Sequence, residues 1–140
     1  MFEYSLFMDS SPEKIWDYLT KPDLMKLWMG DPEMKLVIEA DWTVKGQIIV
    51  KGFHHLIFEN KGSVEIFDKN RRLKYTSLSS ISRLQDRPEN YTSTEFTLEP
   101  ADSQTRVIVK VENSPTDSIY KHYSFYWRGT IVKIKELVER

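Results

Sequence analysis

The last fourteen residues, WRGTIVKIKELVER, limit the fold more than any other stretch of the chain. At 100° per residue, Ile131, Ile134 and Val138 fall within about 40° of Trp127, so one apolar stripe runs to the final turn. The preceding NSPTDSIYKHY offers Ser114 or Thr116 as an N-cap and Asp117 in the first turn. Together they predict one C-terminal helix of about 23 residues, on the order of 35 Å long. A helix of that length with one apolar face has to lie on a broad surface. That surface is either a packed core or the wall of a space left for a ligand.

The rest of the chain shows what the surface is. Phe2, Tyr4, Leu6 and Met8 alternate with polar residues, the period of a half-buried strand. The period then changes. Ser10 is the expected N-cap of a short helix, with Glu13 three residues on, Pro12 in the first turn, and Ile15, Trp16 and Leu19 on the buried side. Pro22 breaks that helix and starts a second, in which Leu24, Leu27 and Trp28 share a side, before Gly30, Asp31 and Pro32 end it. Strand-like alternation returns at Leu36, Ile38, Ala40 and Trp42, then in GQIIVKGF, LIFENKGSVEIF, from Leu73 to Tyr75, from Thr92 to Leu98 and from Val107 to Val111. The turns between these runs are short, which favours hairpins over crossovers. The expectation is a single α+β domain over residues 1–140: a curved antiparallel sheet of six to seven strands, two short helices, and one long C-terminal helix covering the concave face.

Several chemistries are excluded by what the chain lacks. It has no Cys, so thiolate metal sites, disulfides and cysteine nucleophiles are absent. Lys plus Arg number 20 against 21 Asp plus Glu, which gives no basic footprint for nucleic acid. No run approaches the roughly 20 apolar residues of a membrane span, and the N-terminus lacks the pattern of a secretory signal, so a cytoplasmic protein is expected. Five glycines in all leave no phosphate loop or dinucleotide fingerprint. His54 and His55 are adjacent and on a regular strand would face opposite ways, while His122 lies about 140° from Trp127 on the outer side of the long helix. No metal site, catalytic set or cofactor is therefore expected.

The aromatic share of 13% is the feature that suggests a function. On this fold Trp28, Trp42, Phe53, Tyr75 and Phe96 are candidates for the inner wall, and Tyr123 and Trp127 for the helix facing it. Tyr hydroxyls and indole N–H groups would give a mostly apolar space a few hydrogen-bonding handles for a small hydrophobic molecule. The same large side chains can equally fill the core. On the outward side of the long helix, Phe125, Gly129 and Val132 stand at i, i+4 and i+7, bordered by Lys121, Arg128 and Glu136, a candidate surface for a partner or a second copy.

Four motifs carry a family resemblance: PEKIWDYLTKPDLMKLW, Leu73-Lys-Tyr75 after a turn, DRPENY leading to an alternating strand and Thr105, and Trp127 followed by Ile131, Ile134, Leu137 and Val138. In that order and spacing the chain resembles the START-like, Bet v 1-like helix-grip (SRPBCC) superfamily. Within it the chain is most similar to the bacterial group related to the C-terminal domain of the heat-shock-protein-90 ATPase activator. The resemblance spans nearly the whole chain and implies a non-catalytic binding protein, in some relatives linked to stress responses. The alternatives it implies are a chaperone-interacting protein, although residues 1–9 already read as the first strand rather than as the end of the activator's further domain, and an aromatase/cyclase-like enzyme using Tyr75, Tyr123 or His55. Two departures stand out: Tyr126 replaces the glycine usual before Trp127, which narrows any pocket there, and TVKGQ supplies one glycine where many relatives have two.

Overall fold

Burial alternates along the first strand, β1 (Phe2–Met8), with Phe2 and Met8 buried and Glu3, Ser5 and Phe7 outside. This period of two recurs in β6 (Thr92–Ala101) and β7 (Gln104–Glu112), where Thr92, Thr94, Phe96, Leu98, Thr105, Val107, Val109 and Val111 all turn inward. With β2 (Val37–Ala40), β3 (Gln47–His54), β4 (Leu56–Asp68) and β5 (Arg72–Ser79), these strands form one seven-stranded antiparallel sheet in the order β1-β7-β6-β5-β4-β3-β2. The computed structural model describes all residues 1–140. Six strands follow one another as hairpins, and β1 closes onto β7 with Phe2 opposite Val111 and Met8 opposite Thr105.

Two short helices, α1 (Pro12–Thr20) and α2 (Pro22–Met29), carry the chain from β1 at one edge of the sheet to β2 at the other. The N-cap of α1 is Ser11 rather than Ser10: its hydroxyl accepts from Lys14 N at 3.2 Å. Proline is best placed at the first helical position, so Pro12 makes the residue before it the cap, while the carbonyl of Ser10 accepts from Thr105 Oγ1 at 2.8 Å. In α2 the buried pair is Met25 and Trp28, and Leu27 is exposed. The inward side of that helix is thus turned by about one residue from the side that Leu24, Leu27 and Trp28 share. Single 3-10 turns at Pro32–Met34, Ser80–Ser82 and Pro88–Asn90 occupy connections that sequence periodicity left as loops.

The long helix, α3 (Asp117–Val138), is capped by Thr116, whose hydroxyl accepts from Ile119 N at 3.1 Å. It runs alongside β1 in the same direction. Phe2 meets Tyr120 edge-on, the Tyr4 hydroxyl meets Ser124, and the Asp9 amide donates to Glu139 near the far end. Its buried residues, Trp127, Thr130, Ile131, Ile134, Leu137 and Val138, all belong to the second half.

Candidate functional site

The aromatic residues of the inner face lie in a chain. Phe96 and Trp127 meet edge-on at 5.4 Å between ring centroids, and Trp28 completes a triangle at 5.8 Å from Trp127 and 6.2 Å from Phe96. Tyr75 extends it from Phe96 at 6.3 Å, and Trp42 follows at 6.5 Å and stacks on Phe67 at 5.7 Å. Edge-on and offset contacts at these separations are favourable and leave no gap for a molecule between the rings. Trp28, Phe96 and Trp127 are therefore the floor of the grip, and the space expected around them is filled by their own side chains.

Phe67 reaches this cluster through an irregularity. The register shifts between Val64 opposite Tyr75 and Ile66 opposite Lys74, so one extra residue in β4 moves the inward set from even to odd positions. Phe67 then faces Leu73 and packs on Trp16 at 5.2 Å. The indole N–H groups expected to serve as ligand handles have partners already. Trp28 Nε1 donates to the Tyr18 carbonyl at 2.8 Å and Trp42 Nε1 to the Thr20 carbonyl at 2.7 Å. Both acceptors belong to the last turn of α1, whose carbonyls have no intrahelical partner.

Phe53 does not join the inner wall: it is 52% exposed. Ile48 and Val50 face the core in β3, so by alternation Phe53 shares the outer side with Ile49 and Lys51. The inward position next to it is Gly52, where a Cβ would crowd Leu36 and Phe58, so the side chain of Leu36 closes that end of the grip. His54 and His55 also differ from expectation. His55 forms the hairpin turn with φ of 64°, and the two exposed rings sit 4.6 Å apart instead of on opposite faces. His55 thus stands outside the grip, away from the tyrosines with which it was to share acid–base work. His122 faces outward as expected and stacks on Tyr126.

The tyrosines gather under the first half of α3. Tyr75, only 7% exposed, makes no hydrogen bond to another protein group, although Tyr123 and Tyr126 are its near neighbours. Burial pushes its ionisation up, and those two phenols push it further the same way. Burial also raises Tyr123, against the opposing pull of the Ser77 hydroxyl, and raises Tyr126, against that of Thr130. All three stay protonated at neutral pH, so they act as hydrogen-bonding groups rather than as bases. Tyr126, in the place of the usual glycine, donates to the Met29 carbonyl at 2.8 Å and stands against Trp127 at 5.4 Å, tying α3 to the end of α2. At the same level, the sheet presents Ser77, Thr92, Thr94 and Gly62, and the carboxamide oxygen of Asn60 is buried without a partner. Gly62 has no room for a Cβ against the Thr76 carbonyl.

A hollow opens on the other side of the sheet. An open groove of about 610 Å³ runs between the outer side of the sheet (Gln47, Lys61, Ser63, Thr76, Ser93) and the segment carrying Asp86 and Tyr91. Two of its charges satisfy one another: Lys61 Nζ is 2.7 Å from Asp86, and the Tyr91 hydroxyl donates to the same carboxylate at 2.6 Å. On the outer side of α3, Phe125, Gly129 and Val132 are all exposed, as their spacing predicted. No group of three or more His, Asp or Glu residues is disposed to hold a metal ion. No helix is long and apolar enough to cross a membrane.

Comparison with known proteins places these features among relatives. The family described as Activator of Hsp90 ATPase homolog 1-like protein matches residues 9–139. A protein of Cytophaga hutchinsonii with a solution structure is 25% identical with a TM-score of 0.81, the match covering 98% of this chain and 92% of that one. The solution structure of the Aha1 dimer from Colwellia psychrerythraea is 22% identical with a TM-score of 0.76, covering 99% and 95%. A crystal structure of a Chromobacterium violaceum protein has 17% identity and a TM-score of 0.76, covering 100% and 99%. No curated protein matches the chain by sequence.

Proposed function

Because this chain belongs to the family of activator of Hsp90 ATPase homolog 1-like proteins, we propose that it is a non-catalytic cytoplasmic binding protein whose ligand enters under the first half of α3. The observation that carries this reading is Tyr75. Its phenol lies beneath the helix, close to Tyr123 and Tyr126, and has no hydrogen-bond partner in the protein. The side-chain atoms that are both sealed from solvent and unpaired are Ser10 Oγ and Asn60 Oδ1, so the unpaired Tyr75 hydroxyl keeps an opening through which a ligand group can meet it. The wall around it is mixed: Val50 and the Trp42 ring are apolar, while Ser77, Thr92 and Thr94 carry hydroxyls. Such a wall suits a small, mostly apolar molecule with one hydroxyl or carbonyl group placed between Tyr75 and Tyr123. Trp127, Trp28 and Phe96 form its floor.

Native mass spectrometry of the protein as purified, with extraction of any bound compound, tests this. A bound mass that Ser77→Trp removes, with the melting temperature held, supports the mouth as the binding site. A ligand-free protein whose enhancement of 1-anilinonaphthalene-8-sulfonate fluorescence is the same with and without Ser77→Trp overturns it.

One observation favours a second reading, a protein-binding role of the kind the family's description names. At the tip of the β3–β4 hairpin Phe53 lies opposite Ile57, which is 84% exposed, and Leu56 beside it is exposed as well. Exposed apolar residues gathered at one tip suit a protein partner. Stimulation of a bacterial Hsp90 ATPase that is lost with Phe53→Ser/Ile57→Ser supports this role, and no effect of the wild-type protein on that ATPase rules it out.

A further inference from the structure

The outer face of α3 is complementary to itself. Phe125 is 77% exposed and Val132 43%, and between them a Cβ at Gly129 would meet nothing within 4 Å. Ser118 and Glu136 continue the same row toward the two ends of the helix. Glycine is the residue least suited to a helix interior after proline, and no contact within the chain accounts for it here. The charges beside the row are ordered: Lys121 near its start, Glu136 near its end. Glu136 has no ion-pair partner in its own chain, and Lys121 reaches only the exposed Asp117 one turn earlier, at 3.0 Å. Lys121 and Glu136, Phe125 and Val132, and Arg128 and Gly129 are each placed symmetrically about a point between residues 128 and 129.

We infer that a second copy of this chain docks here, α3 against α3 and antiparallel, about a twofold axis passing between residues 128 and 129. Turned end over end, each Phe125 lies opposite the partner's Val132, each Lys121 opposite the partner's Glu136, and the two Gly129 backbones approach closely at the centre. A twofold contact uses one patch twice, so every favourable pair occurs twice. A parallel arrangement would instead set Lys121 against Lys121 and Glu136 against Glu136, which electrostatics disfavours. Arg128 lies to one side of the contact, close to Tyr4 of its own chain, whose ionisation is lowered first by Ser124 and further by that guanidinium. One helix pair is a small interface, so the dimer is weak and depends on concentration. The surface is on the opposite side of α3 from the ligand mouth, so this proposal and the binding reading fail independently.

Sedimentation velocity on the full chain at low salt, from about 10 μM to about 1 mM, covers the range in which a contact of this size populates. The wild type should pass from monomer to dimer mass over that range. Phe125→Glu should remain monomeric, and Lys121→Glu should weaken association at least about tenfold, since it places like charges opposite each other twice. Lys121→Glu combined with Glu136→Lys should recover the wild-type constant. Both positions are exposed, so an unchanged melting temperature is expected of each variant. A wild type that is still monomeric at about 1 mM overturns the proposal, as does a dimer indifferent to Phe125→Glu. Failure of the double reversal to recover association overturns the antiparallel register.

Discussion

The two halves of α3 belong to one unbroken helix and do different things. From Trp127 onward six side chains are buried, whereas from Asp117 to Tyr126 none is. The cause lies in what each half faces. The second half meets Trp28, Phe96 and the valine face of β7, large or branched apolar groups that pack to interior density. The first half stands over Tyr75, Ser77, Thr92, Thr94 and Gly62, hydroxyl-bearing or small residues that cannot fill the same height. One helix thus serves as core along half its length and covers a hydroxyl-bearing stretch of the sheet along the other.

The most direct way to break that comparison is to truncate one aromatic in each half. Trp127→Ala should lower the unfolding free energy by about 3–5 kcal/mol, because it opens a cavity among Trp28, Phe96 and Tyr126. Tyr123→Ala, in the half-buried part, should cost less than about 2 kcal/mol. Urea unfolding of both variants measures the difference, and equal costs would show the two halves to be packed alike.

A second effect concerns alkaline pH. Tyr75, Tyr123 and Tyr126 all have ionisations raised in the folded protein, mainly by burial. The unfolded chain then loses these protons first, so the stability they contribute is intact below the ordinary tyrosine value of about 10 and falls as pH rises beyond it. Thermal unfolding followed from neutral pH to above about pH 10 should show this loss, and Tyr75→Phe should reduce its slope. An unchanged slope would mean that Tyr75 ionises alike in the folded and the unfolded chain.

The smaller effects sharpen the contrast between neighbouring phenols. Tyr126→Phe removes a hydrogen bond to the Met29 carbonyl and should cost about 1 kcal/mol. Tyr75→Phe removes no hydrogen bond within the protein and should change stability by less than about 0.5 kcal/mol while weakening any ligand that uses the phenol. A large loss in Tyr75→Phe would place that hydroxyl in a network internal to the fold, outside the binding site.

Much of this was legible in the chain because the signals were local. The change of period at Ser10 and again at Asp117 located the helices, the short turns gave the hairpins, and the stripe from Trp127 placed the closing helix on the sheet. The aromatic floor was legible as a set of residues, but its occupancy was not. Whether Trp28 and Trp42 offer their N–H groups to a ligand depends on carbonyls at the end of α1, far from Trp42 in sequence. Phe53 shows the same limit. It reads as one more apolar residue in an alternating run, and only the pairing of β3 with its neighbours assigns it to the outer side.

By itself, then, the sequence determined the elements and their order, since hydrophobic period, proline placement and helix caps act over a few residues. The tertiary structure decided which way each strand faces and how full the grip is. Strand faces alternate with a period of two, so one extra residue in β4 or one left-handed turn at His55 reverses everything beyond it. How the side chains under α3 pack depends on large groups from distant segments meeting one another, and that is fixed only by the three-dimensional structure.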